Sequence, residues 1–94
     1  MTFHEIAETL TKKVGQYRST FSGLTDMEAL AGSQMIATTI DRIIVALEKN
    51  DKQQAVTETL VFSRQLSDVY FTHPPVVCDL ANIIQRLRKE LKNQ

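Results

Sequence analysis

Ninety-four residues are enough for one domain with a modest core. Eleven basic residues balance eleven acidic ones, so no global field draws the chain to nucleic acid or anionic lipid, and wholesale acidic mimicry of nucleic acid is excluded. An apolar share of 43% is too high for a disordered chain, and three Gly and two Pro leave few breakers, which favours a few long helices over many short strands.

The first helix is expected to start at Thr2. Thr2 and Glu5 have the spacing of a capping box, in which the hydroxyl takes an orphan amide of the first turn. Phe3, Ala7, Leu10, Val14, Tyr17 and Phe21 then recur every three or four residues and mark one buried face, widened by Ile6. Gly15 costs the helix about 1 kcal/mol relative to Ala, but the stripe on both sides of it carries the helix through. Ser22 and Gly23 end it.

A second capping-box pattern, Thr25 with Glu28, predicts the next helix, with Leu24 placed to staple onto Ala29. Its buried face is Ile36, Ile40, Ile43, Ile44 and Leu47. The β-branched run from Ile40 to Leu47 does not read as a strand, because Asp41, Arg42 and Glu48 fall opposite it at helical period and do not alternate with it. Gly32 and Ser33 are its soft point, allowing either a close helix–helix approach or a split.

Asn50 or Asp51 caps the third helix, with Gln53 or Gln54 nearby to complete the box. Ala55, Thr59, Phe62, Leu66 and Val69 form its stripe, which Val56, Leu60 and Tyr70 widen. So short a link makes the second and third helices an antiparallel hairpin. After the break at Thr72, His73, Pro74 and Pro75, a fourth helix runs from about Val76 to Leu91 on a stripe of Leu80, Ile84, Leu87 and Leu91, with Val77, Ala81 and Ile83 beside it. The expected fold is therefore all-α, a small antiparallel bundle of about four helices forming a single domain over residues 1–94.

Chemistry is sparse in this pattern. No glycine leads a phosphate loop, and no His-Glu-x-x-His or cysteine pair is present. His4 and Glu8 are only two ligand types, and two do not make a metal site. Cys78 is alone, which excludes an intrachain disulfide, and it reads as a buried small hydrophobe. His73 has no acidic partner placed to orient it as a base for Cys78. The carboxylates Glu5, Glu8, Asp26, Glu28, Asp41, Glu58, Asp68 and Asp79 are spread over polar faces. No enzyme activity, metal, cofactor or small-molecule substrate is expected.

Two features remain. Arg86, Arg88, Lys89 and Lys92 form the one charge asymmetry of the chain, able to meet phosphates or to satisfy a helix dipole, with no aromatic among them to stack a base. Ile6, Val77 and Ile83 lie just off the stripes of the first and fourth helices, Met27, Leu30 and Met35 lie away from the main face of the second, and Phe71 is off the stripe of the third; with the aromatic anchors Tyr17, Phe21 and Tyr70 they are more apolar residues than a bundle this small is expected to bury. The leading expectation is a non-enzymatic protein-binding module (a small chaperone, adaptor or inhibitor) that packs apolar helix faces on a partner protein or a second copy, through Met27, Leu30, Tyr70 and Phe71. The alternative is a small regulator touching nucleic acid through Arg86, Arg88, Lys89 and Lys92. The first residues lack the charge and apolar pattern of a signal peptide, and the longest apolar run, Ile43 to Leu47, is far short of a membrane span, so the cytoplasm is the expected location and no membrane partner is expected.

Overall fold

The computed structural model describes residues 2–68 and 73–93. Among them are four α-helices and no strand: α1 (Phe3–Ser19), α2 (Met27–Glu48), α3 (Lys52–Asp68) and α4 (Pro75–Lys92), with a short 3₁₀ turn at Phe21–Gly23. The all-α bundle follows from the spacing of the apolar residues. Ala7, Leu10, Val14 and Tyr17 of α1 meet Ile36, Ile40, Ile43 and Leu47 of α2, Ala55 and Phe62 of α3, and Val77, Leu80, Ile84, Leu87 and Leu91 of α4 in one hydrophobic cluster. Ile6, set beside the α1 stripe in the sequence, is buried in that cluster as well.

Local signals set the helix ends. The Thr2 hydroxyl accepts the Glu5 amide at 3.2 Å and starts α1. The cap of α2 sits one residue later than the Thr25–Glu28 spacing predicts: Asp26 Oδ1 accepts the Glu28 amide at 3.0 Å. A carboxylate there offers the exposed amides a full negative charge, which a hydroxyl cannot. α2 runs through Gly32 and Ser33 without a break, and the Ser33 side chain is buried.

The α2–α3 turn is closed by a residue of unusual geometry. Asn50 takes a left-handed conformation with φ 56°, the Asn50 amide donates to Leu47 O (3.1 Å), and the Asp51 amide donates to Ala46 O (2.8 Å). These two bonds satisfy carbonyls that the helix end leaves free, the arrangement of a Schellman cap. Asp51 then turns to the next helix, its Oδ1 accepting the Gln54 amide at 3.1 Å. One short turn thus ends α2 and begins α3, and the two helices run antiparallel. The buried Thr39 hydroxyl donates to Gln65 Oε1 (2.7 Å) and ties them further along. Pro75 opens α4 as its first helical residue, where its missing amide proton costs nothing.

α2 packs against both α1 and α3, and α4 packs against α1 and, less extensively, against α3. Of these four neighbouring pairs, α3 and α4 meet over the smallest contact. α2 is also the one described helix long and apolar enough, by length and composition, to cross a membrane. The uninterrupted apolar run alone does not reveal this, because Gly, Ser, Gln, Thr and the pair Asp41 and Arg42 interrupt an otherwise apolar helix. Half of that apolar window is buried within the bundle, as expected for a helix with packed neighbours on two sides.

Candidate functional site: a basic-rimmed groove between α3 and α4

The weakest of the four helix contacts leaves a groove of about 570 Å³. Val56, Thr59 and Leu60 line it from α3, and Gln85, Arg88, Lys89 and Lys92 from α4. The α4 residues stand at i, i+3, i+4 and i+7, so they share one helix face, and they extend over about 10 Å of helix axis. Val56 and Leu60 are one turn apart on α3 and are 41% and 51% exposed. The sequence pattern places both on the buried side of α3. They are displaced by one residue, about 100° round the helix, from the Ala55–Thr59–Phe62 stripe. That stripe already fills the space facing the core, so Val56 and Leu60 are left over the gap to α4.

The groove has a distinct electrostatic character. Three cations line it and no carboxylate does. Among the described residues, Arg88, Lys89 and Lys92 make no ion pair, whereas Lys13 pairs with Asp79 (3.2 Å) and Arg18 grips Asp41 with both terminal guanidinium nitrogens. Lys89 and Lys92 lie in the last turn of α4, where the helix dipole supplies about −0.5 of an elementary charge. Half a charge does not neutralise three, so the rim is net positive.

Two other surface grooves differ from it. The one between α2 and α3, about 310 Å³, sets Asp41 and Asp51 against Arg42 and Lys49. The one by the α1 start, about 370 Å³, mixes Glu8 and Glu48 with His4 and Lys12. Neither presents one sign of charge over an apolar floor.

The candidate residues read from the sequence are not all gathered in the groove. Arg88, Lys89 and Lys92 line it, while Arg86 is exposed elsewhere on α4. Met27 is 80% exposed at the start of α2, and Leu30, one turn on, is half-buried. Tyr70 and Phe71 lie outside the described residues. Besides Val56 and Leu60, two more expectations about single residues are overturned. Cys78 is exposed on α4 and is not a core hydrophobe. Glu58 is not on a polar face: it is buried on α3, with Gln54 Nε2 donating to its Oε1 at 2.8 Å and no hydrogen bond reaching its Oε2. It lies one turn from exposed Gln54, and packing against the bundle buries its Oε2.

Burial raises the pKa of the Tyr17 phenol, and the buried Ser33 hydroxyl nearby partly offsets this, though the two do not form a hydrogen bond of good geometry. Burial lowers the pKa of His73. His4 Nε2 meets Glu8 Oε1 at 3.0 Å on open surface, and among the described residues no group of three His, Cys, Asp or Glu side chains is placed to hold a metal.

No protein-family model, curated protein or solved structure matches the chain.

Proposed function

We propose that this chain is a non-enzymatic protein-binding module, of the adaptor, inhibitor or small-chaperone kind, that acts by covering part of a partner protein's surface through the α3–α4 groove. The observation that carries this reading is the pairing of half-exposed Val56 and Leu60 with three unpaired cations on one groove. Covering Val56 and Leu60 completely recovers about 1 kcal/mol for each, since roughly half of each side chain is already out of water. Partner side chains filling the groove add comparable amounts. The sum must exceed the entropic cost of association, which points to a complex of moderate affinity and not a permanent one. Met27, 80% exposed at the other end of α2, is a separate apolar contact of the same kind.

The nucleic-acid alternative is less favoured by the same groove. Its rim is basic, but its floor is aliphatic, and no aromatic lines it to stack a base.

The test is recovery of partners from the native lysate by the wild-type chain and by Leu60→Asp, with helicity checked by circular dichroism. A protein retained by the wild type and lost with the variant is the expected outcome. Retention of nucleic acid in its place, with binding that falls steeply between low and moderate salt, favours the alternative. A partner that binds both chains equally removes the groove from the proposal.

A further inference from the structure

We infer that the occupant of the α3–α4 groove is an amphipathic helix whose apolar stripe is flanked by Glu or Asp. This rests on the protein-binding reading above and goes beyond it by assigning the chemistry of the partner. Three features carry it.

The first is charge. Arg88, Lys89 and Lys92 stand along one side of the groove with no carboxylate opposite them and no ion pair to another described residue. An acidic flank on the occupant would neutralise them, whereas a basic flank would be repelled. Attraction of this kind selects the partner and speeds its arrival.

The second is backbone accounting. Both groove walls are helices, whose amides and carbonyls bond within the helix, so the walls offer side chains and no free backbone edge. An extended segment laid there would have no ladder to join, and its covered amides and carbonyls would lose water without replacement. A helix brings its own hydrogen bonds. It also completes the packing that the small α3–α4 contact leaves open, as a third rod seated against two.

The third is size. The α4 wall spans about 10 Å from Gln85 to Lys92, close to two helical turns. Apolar residues at i, i+3 or i+4, and i+7 of the occupant fall within that length and reach Val56 and Leu60. A second copy of this chain does not fit the requirement. Outside the groove, its described exposed large apolar residues are Met27, Met35 and Val45, whose spacings of eight and ten residues supply no stripe at i, i+3 or i+4, and i+7.

The experiment uses the full chain and three synthetic helical peptides of four turns. One has a Leu stripe flanked by Glu. One keeps the Leu stripe and carries Lys in place of Glu. One keeps Glu and replaces Leu with Ala. Binding is followed by fluorescence anisotropy near physiological salt. The Glu–Leu peptide is expected to bind with a micromolar Kd, and the other two at least about tenfold more weakly, a difference of roughly 1.4 kcal/mol. The triple variant R88E/K89E/K92E, with unchanged helicity, is expected to reverse the order and prefer the Lys–Leu peptide. Equal binding of the Glu- and Lys-flanked peptides, or an order the triple variant leaves unchanged, overturns the assignment. Binding of the Glu–Ala peptide as strong as that of Glu–Leu also overturns it, because charge alone would then suffice. Concentration-dependent dimerisation of the free chain that the triple variant abolishes would make a second copy the occupant and overturn it equally. If all three peptides fail while a lysate partner still depends on Leu60, the helix assignment falls and the protein-binding reading stands. If that dependence is absent too, both fall.

Discussion

The α1 side of the bundle and the α3–α4 side are built from similar residues but finished differently. On the α1 side, Ile6, Leu10, Val14 and Tyr17 are sealed, and two surface charges reach across to neighbouring helices, Lys13 to Asp79 on α4 and Arg18 to Asp41 on α2. On the α3–α4 side, the apolar pair Val56 and Leu60 stays half in water, and the cations beside it form no ion pair with a described residue. Composition does not separate the two sides. What differs is whether a neighbouring helix is close enough to cover the apolar residues and carries the opposite charge. A side that meets both conditions is finished within the chain, and one that meets neither is available to another molecule.

The sharpest way to break this comparison is to truncate one leucine on each side. Leu10→Ala removes a side chain with no exposure and is expected to cost about 2–5 kcal/mol, read as a large fall in Tm. Leu60→Ala is expected to cost about 1 kcal/mol or less, because half of that side chain already lies in water. A Leu60 loss as large as that of Leu10 would mean that the groove is closed in solution.

A second expectation concerns pH. The Tyr17 pKa is raised above 10.0 in the folded chain because burial disfavours the phenolate. The unfolded chain therefore releases this proton first. Its contribution to stability is complete below pH 10 and is lost as the pH rises through the folded-state pKa. Tyr17→Phe should reduce the alkaline fall in Tm. At neutral pH it should cost little, since no well-formed hydrogen bond is removed. An alkaline limb identical in both chains would place the titrating group elsewhere.

The smallest expected effect sharpens the α1 side. Gly15 is exposed within α1, and a Cβ built there meets no atom within 4 Å. Gly15→Ala should stabilise the fold by about 0.5–1 kcal/mol and leave peptide binding in the groove unchanged. A fall in Tm would show that α1 uses the glycine for something other than helix geometry.

Much of the fold was legible because helix signals are local. Thr2 with Glu5, and Asp51 with Gln54, act within one turn, so their spacing predicts their hydrogen bonds. The α2 cap moved from Thr25 to Asp26 because both residues are competent caps and their spacings to Glu28 differ by one residue. The site was less legible. Arg88, Lys89 and Lys92 were visible as a charge cluster, but their separation from Arg86 needed the helix face that looks across to α3. Val56 and Leu60 carried no signal that distinguished them from core residues. An apolar residue at the edge of a stripe is buried or exposed according to how near the next helix comes, and that distance is not written in its own helix. Glu58 was missed for the mirror-image reason: a carboxylate usually marks a wet face, yet packing covered this one.

The order of apolar and polar residues by itself determined four helices, their starts to within one residue and most of the stripes they bury, since each depends on contacts a few residues apart along the chain. Only the tertiary structure decided that α3 and α4 meet over a small area, leaving two aliphatic side chains uncovered beside three unpaired cations. The gap between two rods depends on how all four pack together, a sum of contacts between residues far apart in sequence, and no stretch of one helix contains it.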